Sequence, residues 1–139
     1  MTKLSPLRST IFLVLLAFAL SCTDHDIPEK IELKTLPITS NPNGLKCSIV
    51  FSLNVVRTGS LPVKEYGVVY SAFGAGNGPV IENPTIENNL KVIFDLPASV
   101  GDKSKIGPQL CTNNINYRAY AILIDDSVVY GNMLNFHDN

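Results

Sequence analysis

The sequence predicts an all-β protein, a single antiparallel β-sandwich that follows an N-terminal targeting segment. From residue 45 onward, apolar and polar residues alternate over short stretches, which is the two-residue period of half-buried strands. Turn-forming Gly, Pro, Asn and Asp separate these stretches, and six or seven strands fit within about 100 residues, as in a sandwich domain. No stretch after residue 22 has a convincing helical period.

Composition narrows the class of protein further. The chain has 139 residues, with 11 Lys and Arg against 12 Asp and Glu, and a formal net charge of −1. A chain of this length favours one domain. The near-neutral balance excludes a general polyanion binder, because no basic surplus is present to neutralise phosphates, so we expect no nucleic-acid partner. An apolar share of 45% is too high for an intrinsically disordered chain.

Residues 1–21 are predicted to be a signal peptide. Lys3 and Arg8 form a basic front, and the ten residues from 11 to 20 are all apolar. A spanning helix needs about 18 or more apolar residues, so this shorter run is typical of a signal-peptide core. Ala17-Phe18-Ala19 has the small-residue spacing of ordinary secretion, which is one alternative for cleavage, and an uncleaved anchor is another.

The stretch Ala19-Leu20-Ser21-Cys22 resembles a bacterial lipobox, in which the cysteine is acylated and becomes the first mature residue. The cysteine count favours this alternative, because lipid on Cys22 leaves Cys47 and Cys111 as an even pair. Thr23-Asp24-His25-Asp26 resembles the surface-export signal of Bacteroidota lipoproteins, although acidic residues also merely solvate a linker. The resemblance implies anchoring in outer-membrane lipid and exposure at the cell surface. A secreted or periplasmic protein is the alternative.

Residues 22–38 are predicted to be the lipidated N-terminus and a linker, and residues 39–139 the folded domain. A short strand is compatible with Ile31, Leu33 and Leu36, and Pro37 is expected to stop it. We expect a hairpin turn at Asp125-Asp126 and loops at residues 74–79 and 101–108. The longer strands are predicted at residues 45–55, 65–71, 89–96, 116–124 and 128–136.

Two blocks resemble the fibronectin type III-like domains of Bacteroidota surface lipoproteins. Glu65-Tyr66-Gly67-Val68-Val69-Tyr70-Ser71 is similar to their third strand. Tyr117-Arg118-Ala119-Tyr120-Ala121, with Val129-Tyr130-Gly131-Asn132 and Leu134-Asn135-Phe136 after it, is similar to their last two strands. The resemblance implies an immunoglobulin/fibronectin type III-like sandwich. The chain departs from the family at Ile115, where a tyrosine usually ties down the start of the sixth strand.

A disulfide bond between Cys47 and Cys111 would replace that tie. In the topology that the resemblance implies, the second and sixth strands run the same way in facing sheets, so both cysteines are expected at one pole. A secreted compartment favours such a bond. The alternative is a pair of buried thiols that pack as small apolar side chains.

The sixth strand also supplies a candidate contact surface. Its outward positions are Arg118, Tyr120, Ile122 and Ile124, and an exposed, mostly apolar row of this kind is more than a monomer normally shows. This row would contact a protein or glycan partner, with Tyr120 as the anchor, because aromatic residues are enriched in binding hot spots. We favour the other interpretation, in which neighbouring strands, or the segment with Leu33 and Leu36, cover the row.

Residues suited to catalysis or metal binding are sparse. His25 and His137 lie far apart in the sequence, and no cysteine or carboxylate cluster has the spacing of a zinc site. The carboxylates of the predicted hairpin turn lack calcium-loop spacing. The glycines at 74, 76 and 78 lack the Lys-Ser/Thr that completes a phosphate loop. We therefore predict no metal, no cofactor and no enzymatic activity.

Together these features predict a lipid-anchored envelope protein that acts as a non-catalytic binding or spacer module at the outer surface. Membrane lipid, through acylated Cys22, is its expected partner, with protein or glycan as a further one. The first alternative is a structural accessory subunit of an outer-membrane glycan-uptake or adhesion complex. A small secreted hydrolase is the third alternative.

Overall fold

The computed structural model describes residues 27–40, 42–44, 46–72, 80–112 and 114–137. The predicted signal peptide, Cys22, His25 and the glycine-rich loop at 74–79 lie outside these residues. Within them the chain forms seven strands: β1 Glu32–Ser40, β2 Ile49–Arg57, β3 Val63–Ala72, β4 Leu90–Ile93, β5 Gly101–Ile106, β6 Asn114–Leu123 and β7 Val128–His137.

The strands pair antiparallel in two sheets, β1-β2-β5 and β4-β3-β6-β7. The predicted all-β antiparallel sandwich is therefore confirmed. The described part of the chain has one short 3-10 helix, Pro42–Gly44, and no α-helix. It also contains no helix with the length and apolar character that crossing a bilayer requires.

The core lies between the sheets and follows the predicted two-residue alternation. The inward side chains of β2, which include Phe51 and Leu53, are fully buried, and its outward ones are half-buried or exposed. The ring of Phe51 packs against Tyr70 of β3, with centroids 5.0 Å apart, and edge-on against Tyr117 of β6 at 5.9 Å. This aromatic cluster joins the two sheets, because β2 lies in one sheet and β3 and β6 lie in the other.

The first strand corrects the predicted domain boundary. β1 continues through Pro37, and Ile31, Leu33 and Thr35 are buried in the sandwich, so residues 31–38 belong to the domain and not to a linker. Proline is tolerated here because β1 is an edge strand and its pairing with β2 shifts register between Leu36 and Thr39. At such a bulge a missing N–H costs no ladder hydrogen bond.

The fifth strand is a second difference, because residues 101–106 pair with β2 instead of forming the predicted loop. Lys103 and Lys105 occupy the positions where apolar residues would have marked a strand. Their ammonium groups turn to the sheet edge and bond to Ser99 and Asp95, each at 2.9 Å. Long lysine side chains keep the charge in water in this way while their stems cover apolar surface.

The two ends of the sandwich are distinct. We call the end where β1 begins the near pole; it also holds residues 58–62, 94–100 and the hairpin turn at 124–127. Asp126 in that turn has a φ of 62°, and its N–H donates to the Leu123 carbonyl, as expected for Asp in a tight turn. The opposite end, the far pole, holds the β1–β2 connection and residues 107–112.

Candidate functional site

The predicted contact row on β6 does not form an exposed surface. Arg118, Tyr120 and Ile122 all lie on the outward side of the four-stranded sheet, as their spacing predicts. Tyr120, however, is fully buried, and Arg118 and Ile122 are half-buried. Ile124, the last residue of the predicted row, lies beyond β6 in the hairpin turn and is exposed. The assignment of Tyr120 as an exposed anchor is therefore wrong. The physical reason is that Lys91 of β4 and residues 80–89, which precede β4, lie over this face.

Residues 80–89, the covering segment, are held on the sheet through their backbone. The N–H of Ile81 donates to the Ser71 hydroxyl at 2.8 Å, and the Ile81 carbonyl accepts from the Asn116 amide at 3.0 Å. Side chains of β3 and β6 thus pair with both the N–H and the carbonyl of Ile81. A neighbouring strand would pair with the same two groups through its backbone. These two side-chain bonds hold the segment against the sheet.

Arg118 holds the middle of the covering segment. Its Nε donates to the Pro84 carbonyl at 2.7 Å, and its guanidinium lies 3.7 Å from the centre of the Tyr130 ring. The Tyr130 hydroxyl accepts the N–H of Ile86 at 3.1 Å. The side chains that were expected to meet a partner therefore bind the protein's own backbone. Only rearrangement of the covering segment would offer them to another molecule.

Tyr120 takes part in a compact polar network. Its hydroxyl donates to Glu65 at 2.7 Å, and Lys91 donates to the same carboxylate oxygen at 2.8 Å. Burial by itself raises the pKa of Glu65, but the hydrogen bonds from Lys91 and Tyr120 and the Lys91 charge outweigh it, so the pKa lies below its ordinary value. Burial, the hydrogen bond to Glu65 and the Glu65 charge raise the pKa of Tyr120, which therefore stays protonated and donates.

Replacing Tyr120 with Phe is expected to raise the pKa of Glu65 and to lower the free energy of unfolding at pH 7 by about 1.5 kcal/mol, as for a hydrogen bond to a charged group. A lowered carboxyl pKa stabilises the fold above the ordinary glutamate value of about 4.3, and this stabilisation is lost as pH falls through the folded pKa. The variant should therefore lose less stability on acidification than wild type. Carbon-13 NMR titration of the Glu65 carboxyl measures the change.

Tyr130→Phe is the matched control, because its hydroxyl lies on the same face and bonds to Ile86 instead of Glu65. It should leave the Glu65 titration unchanged. An unaltered Glu65 pKa in Tyr120→Phe would contradict the role given to the tyrosine hydroxyl.

A second polar network joins the two sheets from inside. The hydroxyl of buried Thr35 accepts the N–H of Ala119 at 2.8 Å and donates to the Asn132 carbonyl. The Asn132 side chain in turn accepts the N–H of Thr35 at 2.9 Å. The β6–β7 pairing shifts register between Arg118 and Tyr120. Because Ala119 lies at this shift, its N–H bonds to the Thr35 hydroxyl instead of to β7. β1 and β7 are thus clamped together along one side of the sandwich.

The far pole contains the disulfide between Cys47 and Cys111, whose Cα atoms lie 4.5 Å apart. Neither cysteine is buried, so the alternative of two buried thiols does not describe this pair. The Leu110 N–H also donates to the Cys47 carbonyl at 2.7 Å, directly beside the bond. These contacts hold the chain shortly before β6, whose second residue is the buried Ile115. Tyr117 adds a further tie by accepting the N–H of Ile38 at 3.1 Å.

The near pole contains an open groove of about 600 Å³. It lies between the β2–β3 and β4–β5 connections, and its lining residues are Thr58, Gly59, Ser60, Leu61, Pro62, Val63, Leu96, Pro97 and Ala98. None of these side chains is titratable, so the groove offers no acid, base or charged ligand to a substrate. Its apolar lining suits contact with apolar groups.

We also searched for a metal site and compared the chain with known proteins. Over residues 27–137, apart from the undescribed positions, no group of three or more His, Cys, Asp or Glu side chains is placed to hold a metal ion. His137 ends β7 at the far pole and pairs in register with Asn114. Comparison of the chain with known protein families and with curated proteins finds no match.

Proposed function

We propose that the chain is a lipid-anchored cell-envelope protein whose sandwich serves as a non-catalytic binding or spacer module at the outer surface. The observation that carries the proposal is the pairing of Cys47 with Cys111, because it accounts for two of the three cysteines and leaves Cys22 for acylation. A disulfide also favours a compartment outside the cytoplasm. Both points agree with the lipobox-like stretch in front of Cys22.

The arrangement of the sandwich supports a module of the fibronectin type III-like type. Its first, second and fifth strands form one sheet, and the other four strands form the second. The polar side chains on the outer face of the four-stranded sheet bond to the covering segment and to each other. The titratable groups of this face are thus engaged in holding the fold, which favours a spacer or binding role over catalysis.

Metabolic labelling with a fatty-acid analogue tests the anchor. Wild type should incorporate the label and fractionate with membranes, and Cys22→Ala should do neither. Thr23→Ala is the matched control, because it changes the next residue and keeps the cysteine; it should be labelled like wild type. Label retained in Cys22→Ala, or absent from wild type, would refute the proposed anchor. Protease treatment of intact cells then distinguishes the outer surface from the periplasmic side.

A further inference from the structure

The chain that leads to Cys22 leaves the domain from a defined point on the near pole. The Glu29 carbonyl accepts the N–H of Ser60 at 2.9 Å, which fixes the start of the domain against the β2–β3 connection. A Cβ on Gly59 would lie 2.5 Å from the Glu29 oxygen, and Gly59 has a φ of +70°, so only glycine allows this close approach. Cys22 lies five residues before Ile27, and five extended residues span at most roughly 18 Å.

Exposed aliphatic side chains gather at this same pole. Ile27 precedes β1, Leu96 and Val100 belong to the β4–β5 connection, and Ile124 belongs to the β6–β7 hairpin. The N–H of Ile124 donates to the Pro62 carbonyl at 3.0 Å, so the hairpin lies beside the apolar groove that Leu96 also lines. Three separate segments therefore present apolar groups at the end of the sandwich from which the tether leaves.

The charged groups of the near pole largely neutralise one another. Arg57 lies 3.7 Å from Glu29 and 3.4 Å from Glu32, and Lys64 of β3 pairs with Asp126 of the hairpin turn. Hydrogen bonds from Ser127 lower the pKa of Asp125, the other carboxylate of that turn, and the charge of Lys30 acts in the same direction. A surface of this kind has little net attraction to anionic lipid and little repulsion from it. Its affinity for a membrane would come from apolar side chains and would depend only weakly on salt.

We propose that the near pole docks on the bilayer that holds acylated Cys22, with Leu96, Val100 and Ile124 inserted at the boundary between headgroups and acyl chains. This inference rests on the proposed function, since the acylated cysteine supplies the proximity. A few aliphatic side chains bind a membrane weakly by themselves, but a short tether makes the contact intramolecular. Docking holds the sandwich upright, with the disulfide and the far pole facing away from the membrane.

The chain contains no tryptophan, so a single introduced tryptophan reports its own position. Val100→Trp and Ile106→Trp form a matched pair: Val100 directly precedes β5, Ile106 ends it, and the two side chains are 62% and 64% exposed. We would reconstitute the purified mature lipidated variants in phosphatidylcholine vesicles with brominated acyl chains. Val100→Trp should show about twofold quenching and a blue shift, because interfacial groups reach about 5–10 Å into the membrane.

Ile106→Trp should remain unquenched, and raising the salt concentration should leave both results unchanged. Ile124→Trp is a second near-pole reporter for the case in which Val100→Trp fails to fold, and Leu96→Asp added to either reporter should reduce its quenching. Flotation with the vesicles separates the two proposals. A floating protein with unquenched near-pole reporters, or with equal quenching at both poles, overturns docking and leaves the anchor intact. A protein that does not float overturns the anchor, and docking with it.

Discussion

Replacing both Cys47 and Cys111 with serine is expected to lower the free energy of unfolding by about 4 kcal/mol, the value that chain entropy gives for a cross-link of this span. The bond joins residues separated by 64 positions, so its loss frees a long loop in the unfolded chain. Neither cysteine is buried, so the substitution removes little apolar contact. Cys47 has a φ of 61°, and serine, which also carries a Cβ, keeps the backbone cost there similar.

Urea unfolding followed by circular dichroism measures the change. Wild type treated with reductant should unfold at nearly the same urea concentration as the double serine variant, and reductant should have no effect on that variant. This control separates loss of the cross-link from local effects of the serines. A difference below about 1 kcal/mol between oxidised and reduced wild type would contradict the expected contribution of the bond.

Thr35→Val is expected to lower the free energy of unfolding by about 3 kcal/mol, because it leaves the buried Ala119 N–H and the partly buried Asn132 carbonyl without their partner. The Thr35 hydroxyl bonds to the Ala119 N–H and to the Asn132 carbonyl, and valine keeps the shape of the side chain while removing both bonds. Amide exchange at Ala119 should increase in the same variant, because its N–H loses its acceptor. The loss of stability and the faster amide exchange both result from removal of the Thr35 hydroxyl, and they are measured independently.

Thr39→Val is the control for this substitution. Thr39 lies on the same strand and is exposed, so its change should stay within about 0.5 kcal/mol. Equal effects of the two substitutions would mean that β-propensity, and not the clamp between β1 and β7, determines the result.

The sequence predicts the central strands well, because their burial follows from alternation alone. β2 and β6 have apolar residues at every second position, and the hairpin turn at 124–127 has the residues that its backbone requires. It fails at the two edge strands of the three-stranded sheet. Pro37 in β1 and the lysines Lys103 and Lys105 in β5 contradict the local pattern, and only pairing with β2 makes these residues strands. Long-range pairing of this kind has no local signal.

The candidate site was less predictable than the fold. Periodicity places Arg118 and Tyr120 on the outward side of β6, but it does not reveal what lies over them. Their burial depends on residues 80–89, which lie 29 to 40 positions away in sequence, and on single hydrogen bonds to backbone groups. The position of Thr35 is predictable from the sequence, because it continues the alternation of Ile31 and Leu33. This alternation predicts that a polar side chain points into the core.

The lysines of β5 have a consequence for crowded copies of the protein. β5 is an outer strand of its sheet, and an outer strand with free backbone groups is a template on which a neighbouring molecule can add its own strand. A molecule that approached this side would have to strip water from the ammonium groups of Lys103 and Lys105. Lys103 and Lys105, which break the apolar alternation of β5, therefore also oppose strand addition and fibre growth, even where many copies of the protein are crowded together.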